Sequence, residues 1–219
     1  MSWFNFFRKK PMITYGITVC NEEQELRNLL DCLFEHMDDD DQIIILQDIT
    51  NPHEGVSNLI EEVKNAVLHL TARLDGDFSA FKNNLVARAT CDYLFQIDAD
   101  EIPSESLLQN LKQQLQKSEK VDCFCVPRIN IVHGITDEHI TKWNWKQNED
   151  GYVNFPDFQM RIFKLKTKRN IHWVNKVHEV LAGYQTFMNL PDEDYRFCLI
   201  HEKNIKRQEA QNDFYDDLM

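Results

Sequence analysis

The run Asp98-Ala99-Asp100-Glu101 places three carboxylates within four residues, at the end of the apolar segment Tyr93-Leu94-Phe95-Gln96-Ile97. Acids crowded at a strand end repel one another unless a cation sits among them, so the pattern reads first as a site for a hard divalent metal. A second reading competes with it. Ser104 and Glu105 follow Pro103, and acids near a helix start are favoured by the helix dipole with no metal at all.

These acids need elements to position them, and the hydrophobic spacing supplies candidates. Met12 to Val19 is β-rich and ends at Cys20-Asn21-Glu22-Glu23, after which Leu26, Leu29, Leu30, Leu33, Phe34 and Met37 recur at helical spacing. Asp38 to Asp41 reads as a solvated loop. Ile43 to Leu46 is a buried strand that ends at Asp48, and Leu59, Ile60, Val63, Val67 and Leu70 predict the next helix. A helix from Phe78 to Ala89 leads into the strand at Tyr93, and Leu107, Leu108, Leu111 and Leu115 define one more behind it. Strands alternating with helices predict an α/β domain: a mixed, mostly parallel sheet with helices on both faces. In such sheets ligands gather at the carboxyl ends of the strands, where Asn21, Asp48 and Asp98 to Asp100 all fall. After Lys120 the rhythm changes. Val121 to Val126 and Phe158 to Leu165 read as strands, and residues 133–157 form a long polar insertion of the kind that carries binding residues or a lid.

Composition narrows the partners. A chain of 219 residues with 42% hydrophobic content is long enough for one well-buried domain and too short for two of ordinary size. Its net charge of −12 repels a polyanion on average, so a phosphate-bearing ligand must meet local positive charge or a metal. The segment Lys164, Lys166, Lys168, Arg169 and Lys176, with Trp173 among them, is the candidate patch; a solvated basic face explains it equally. The six cysteines are scattered within apolar runs, and Cys123-x-Cys125 lacks zinc-knuckle or redox spacing, so a reducing, cytoplasmic setting is expected. No apolar stretch approaches the ~20 residues of a membrane span. The aromatic and basic start, Met1 to Lys10, could touch a membrane surface peripherally. There is no internal repeat and no glycine-rich phosphate loop.

Together, Gly16-Ile17-Thr18-Val19-Cys20-Asn21-Glu22-Glu23, Asp77-Phe78-Ser79-Ala80-Phe81-Lys82-Asn83, the strand into Asp98-Ala99-Asp100-Glu101, and Val177-His178-Glu179 resemble a family 2 glycosyltransferase of the GT-A (Rossmann-like) fold. The resemblance covers roughly residues 12–203, divided into a nucleotide-sugar half, 12–101, and an acceptor half, 102–203; residues 1–11 are a tail and 204–219 a polar helix. It implies a nucleotide-sugar donor, with a UDP-sugar favoured, and a Mn²⁺ or Mg²⁺ ion bridging the two phosphates. By the same resemblance Asp100 is a direct metal ligand, Asp98 contacts ribose or metal, and Ala99 lies beside them. Thr18, Cys20, Asn21 and Glu22 line the nucleotide pocket, Asp48 meets the base, and Lys82 approaches the phosphates. Gln47-Asp48-Ile49-Thr50 departs from the more usual Asp-rich, Ser-containing strand ending, which leaves the base open. Glu179 is implied as the base that deprotonates the acceptor hydroxyl, with Asp157 second. His201 resembles the histidine that completes the metal site, and Lys203 beside it could meet phosphate.

The expected activity is inverting, metal-dependent sugar transfer to a glycan or lipid-linked acceptor. A hydroxylated base in DNA is the alternative acceptor, for which the basic segment 164–176 speaks. A non-catalytic nucleotide-sugar-binding module is a reading from another class, although it would be expected to have lost Asp98, Asp100 and Glu179. A nucleotidyltransferase or phosphatase lacks its phosphate-gripping motif here. The oligomeric state is not legible.

Overall fold

The computed structural model describes residues 9–210. The alternation of the apolar runs builds the sheet directly. In β1 (Ile13–Val19), β2 (Gln42–Asp48) and β4 (Tyr93–Asp98), neighbouring side chains point to opposite faces and both faces are covered, so nearly every position is buried. Ile13, Tyr15, Ile17, Ile43, Ile45, Tyr93, Phe95 and Ile97 pack with α1 (Glu23–His36), α2 (Glu54–Val63) and α4 (Glu105–Lys117). Ile44, Leu46 and Leu94 face the other way, toward α3 (Phe78–Arg88) and the small two-stranded ladder of β8 (His172–Val174) and β9 (Val180–Ala182).

Two shorter strands, β3 (Leu68–Ala72) and β5 (Glu101–Pro103), join β6 (Cys123–His133), β7 (Val153–Lys164), β10 (Phe187–Asn189) and β11 (Leu199–Asn204) to complete a nine-stranded sheet. Its order is β3-β2-β1-β4-β7-β6-β11-β5, with β10 beside β6. The pairings are parallel except β4 with β7, β6 with β7, and β11 with β5. The expected single α/β domain with a mixed, mostly parallel sheet is therefore what forms. From β1 the chain crosses one way to β2 and the other way to β4, so the switch point of the sheet lies between β1 and β4.

Three local expectations need correction. The helix expected to run to Leu70 stops at Val63; a turn at residues 64–66 ends it, and Leu68 to Ala72 pairs in parallel with β2 as the edge strand β3. An apolar spacing of three and four does not separate a helix from a helix followed by an alternating half-buried strand. Asp41, expected in a solvated loop, has a 0% exposed side chain whose Oδ1 accepts the Ile13 N–H at 2.9 Å and pairs with Lys112 at 2.8 Å. The insertion is also shorter than expected, because β6 reaches His133 and β7 begins at Val153. It carries the short helix α5 (Asp137–Lys142), which Thr136 and His139 open as a capping box. Tyr195 anchors its far end by edge contacts with Tyr152 (5.2 Å) and Phe155 (4.9 Å).

All six cysteines are free. Among the described residues no helix is long and apolar enough to cross a membrane. Residues 205–210 are helical, while the aromatic and basic start through Arg8 and the last nine residues lie outside the described residues.

Candidate active site

A pocket of about 390 Å³ opens at the carboxyl ends of the strands and collects side chains from both halves of the chain. Period-two alternation supplies most of them. Asp157, Gln159 and Arg161 share one face of β7, Arg128 and Asn130 one face of β6, and His201 and Lys203 one face of β11. Strand register then brings partners together, because Arg128 lies opposite Asp157, and His201 opposite both Asn130 and Glu101.

The acids of the opening motif behave differently from one another. Asp98 closes β4 at the switch point, where Thr18 Oγ1 donates to its Oδ1 at 2.7 Å and Arg161 Nη2 to its Oδ2 at 2.6 Å. Lys82 Nζ stands 3.7 Å from Oδ1. Burial alone would raise this carboxyl, but the charges of Arg161 and Lys82 and the Thr18 hydroxyl outweigh it and hold the group far below the usual carboxylate range. Glu101 is 0% exposed and accepts from Arg161 at 2.6 Å and Arg128 at 2.9 Å, so it anchors the guanidinium groups beneath the pocket.

Asp100 has lighter company. Its Oδ2 lies 3.3 Å from His201 Nε2 and 3.3 Å from Arg207 Nη2. Burial raises the carboxyl, while the His201 hydrogen bond and charge, with help from Arg207 against Asp98, bring it below its ordinary value. His201 Nδ1 meets Asn130 Oδ1 at 2.9 Å. With that contact assigned as Nδ1–H donating to the amide oxygen, Nε2 is the ring nitrogen that faces the Asp100 oxygen, where it can donate to the carboxylate when protonated or offer a lone pair to a cation. Asp98 does not share this geometry, since both its oxygens are occupied by basic or hydroxyl groups. Among the described residues no group of three or more His, Cys, Asp or Glu side chains forms a ready metal cage. Asp100 and His201 are the pair of side chains that could hold an ion here.

Glu179 reaches the pocket from the loop after β8. Asn83 of α3 brackets Trp173 by donating to its carbonyl and accepting from its N–H, both at 2.9 Å, and the Phe78 N–H donates to the Lys176 carbonyl at 2.9 Å. Those bonds fix the loop against the start of α3, and Lys82, buried over the Trp173 ring at 5.2 Å, donates to Glu179. Lys82 thus links Glu179 to Asp98. Asp157 is held instead by Arg128 Nη2 at 2.6 Å, Arg128 Nε at 3.0 Å, Asn130 at 2.9 Å and Gln159 at 2.7 Å. Burial raises its carboxyl, and Arg128 with these amides more than reverses that, which makes it a weak base. Burial pushes the Lys203 ammonium down to about 8 although Asp100 opposes the shift, so an anion entering the pocket beside it would be stabilised.

Of the residues singled out in the sequence, Lys82, Asp98, Asp100, Asp157, Glu179, His201 and Lys203 line this one pocket. Thr18, Cys20, Asn21, Glu22, Asp48 and Ala99 do not. Ala99 is buried, with its N–H on the Thr18 carbonyl at 3.0 Å. Glu22 takes the Cys20 N–H at 2.8 Å and the Asn21 N–H at 3.0 Å and pairs with Arg207. Asp48 turns inward, its Oδ1 accepting from the Thr50 N–H and hydroxyl at 2.8 and 2.6 Å and from the Leu74 N–H at 3.2 Å. The basic segment is largely spent on structure: Arg169 pairs with the buried Asp122 at 2.6 Å, Lys166 with Asp92 at 3.0 Å, and Lys164 with the Glu119 carbonyl. The cations that line the pocket are Lys82, Arg128, Arg161 and Lys203. Sequence reasoning missed Arg128, Asn130 and Arg161. Their signal is a polar residue at every second position of an otherwise apolar strand.

A mixed α/β sheet with an acid-and-base-lined pocket at its switch point has the GT-A architecture. The chain belongs to glycosyl transferase family 2, whose sequence profile matches residues 14–203. Among solved structures, residues 1–349 of S. aureus TarS superimpose with a TM-score of 0.59 at 12% identity, over 87% of this chain and 60% of that one. The chain thus spans about three-fifths of that structure. TarS 1–349 in complex with UDP-GlcNAc, and with UDP, each align over 57% of this chain at 13% identity with a TM-score of 0.47. Comparison with curated proteins returned no match.

Proposed function

We propose that the protein is a metal-dependent, inverting glycosyltransferase that moves a sugar from a nucleotide-sugar, with a UDP-sugar favoured, to a hydroxyl of a glycan or lipid-linked acceptor. The observation that carries this reading is the meeting, in one pocket, of the Asp100–His201 pair, a set of four cations, and the part-buried carboxylate of Glu179 one lysine away from Asp98. A Mn²⁺ or Mg²⁺ on Asp100 and His201 would offset the charge that develops on a departing diphosphate. Lys203 and Arg128 would receive the phosphate oxygens, and Arg161 and Thr18 hold Asp98 ionised toward the ribose.

In an inverting transfer the acceptor hydroxyl attacks the anomeric carbon from the face opposite the leaving diphosphate, and a carboxylate takes the hydroxyl proton. Glu179 fits that role. Its partner Lys82 steadies it in the ground state, and Asp157, with every oxygen engaged by Arg128 and amides, is better suited to holding Arg128 in place. The direct test is the anomeric configuration of the product formed from a defined UDP-sugar with Mn²⁺ and an acceptor panel, followed by NMR. Product of inverted configuration, lost in Glu179→Gln, supports the reading; retained configuration, or full turnover by that variant, overturns it.

A further inference from the structure

We infer that Trp145, backed by Trp143 on the insertion between β6 and β7, forms a stacking platform for a pyranose ring of the acceptor. This rests on the transferase reading above and names the acceptor class for the same pocket. Trp145 lines the pocket beside Asn154 and Val153. Its ring lies 4.7 Å from that of Trp143, which in turn stacks on His139 at 5.1 Å and 22°. These rings sit outside both hydrophobic core clusters, and α5, from which they follow, buries no residue. Both indoles are part-buried on a polar loop away from the core, and Trp145 lines the pocket.

The loop is braced as a platform requires. Thr136 and His139 cap α5, His139 approaches Glu209 at 3.5 Å, the Asn154 N–H donates to the Lys146 carbonyl at 2.8 Å, and Gln147 bridges to Val153. The same stretch of chain contributes Asn154 to the pocket lining, its side-chain oxygen held by the Lys146 N–H at 2.9 Å; its amide NH₂ suits a hydroxyl, while the indole suits the C–H face of a neutral sugar. A nucleobase would also stack on an indole. The charges that would steer its polyanionic strand toward the protein, Arg169 and Lys166, are paired with Asp122 and Asp92.

The test titrates the protein with methyl glycosides of glucose, galactose and N-acetylglucosamine, and with short oligosaccharides of each. It follows indole fluorescence and the thermal shift given by UDP with Mn²⁺. The expected result is a saturable, salt-insensitive change with at least one glycoside. Trp145→Ala should weaken it about tenfold, and Trp145→Phe should keep it within about threefold, with the UDP response unchanged in both. Equal glycoside binding by Trp145→Ala, or no saturable change up to the solubility of every glycoside, overturns the inference. Salt-sensitive displacement of the glycoside by a single strand carrying 5-hydroxymethylcytosine, lost in Trp145→Ala, overturns it in favour of a DNA base. Loss of the UDP response alone in the parent protein would instead sink the donor reading, leaving Trp145-dependent glycoside binding as a separate positive result.

Discussion

The two walls of the pocket are built on opposite principles. On the wall formed by β4 to β7, Asp98, Glu101, Asp157, Arg128 and Arg161 neutralise one another through hydrogen bonds of 2.6–3.0 Å, and the strands that carry them are rigid members of the sheet. On the wall formed by the insertion, aromatic rings and amides stand on a short helix and loop that bury little. The first arrangement fixes charges before a ligand arrives, so no reorganisation is needed when charge develops during reaction. The second carries little paired charge and presents aromatic and amide surface on a connecting segment of the kind that holds binding residues. Paired charge is concentrated on the sheet, and aromatic and amide surface on the insertion.

The comparison breaks if the reactive carboxylate belongs to the braced wall. Glu179→Gln is expected to lower kcat by about 10²–10⁴-fold with nucleotide affinity retained, measured as nucleotide release from the donor with acceptor present. Asp157→Asn should lower kcat by less than about tenfold; the reverse order would move the base to β7.

Removing the anchor of the braced wall should cost stability on a scale that no loop change matches. Glu101→Ala leaves two guanidinium groups short of a buried partner, and a loss of about 3–5 kcal/mol in urea unfolding is expected. A loss under about 1 kcal/mol would mean that Asp98 and Asp157 suffice to hold both arginines.

Asp157 sharpens the point through pH. Its folded-state value is lowered, so its contribution is fully present above the unfolded value near 4 and is lost as pH falls through the folded value. Asp157→Asn should therefore be less stable than the parent by about 1.5–3 kcal/mol at pH 7, with the gap narrowing below about pH 4. A gap that does not change with pH would mean that the lost stability is not ionic.

The smallest effect is expected on the loop. Trp143→Ala and Trp145→Ala should change stability by no more than about 0.5–1 kcal/mol, because these rings pack on one another and on His139 and Lys142 of the insertion, outside both core clusters. A loss near the Glu101→Ala value would show that the insertion is part of the core after all.

How much of this was legible in the sequence follows the same division. The short apolar runs at Ile13, Ile43 and Tyr93 and the helical stripe through Leu26 to Leu33 each point to one structure, because a buried parallel strand and an amphipathic helix leave different spacings. They located Asp98 and Asp100 at the strand ends. The edge strand at Leu68 was hidden because its half-buried alternation overlaps with helical spacing over five residues. Arg128, Asn130 and Arg161 were hidden because nothing local says which distant strands will lie side by side. Once β6, β7 and β11 are in register, Arg128 must meet Asp157 and Asn130 must meet His201. Asp48 and Glu22 were visible as acids at strand ends, but the turns they cap, at Thr50 and Cys20, compete for the same oxygens.

The central claim is that Asp100 and His201 hold a divalent ion together with a nucleotide diphosphate in this pocket. The most direct measurement is the thermal shift produced by UDP, GDP, CDP and dTDP, each with and without Mn²⁺, in the parent protein and in Asp100→Ala and His201→Ala. The account predicts a stabilisation by one nucleotide, UDP foremost, that requires Mn²⁺ and disappears in both variants while their unliganded unfolding temperatures stay close to the parent's. A nucleotide response that is indifferent to Mn²⁺, or that survives in both variants, would contradict it.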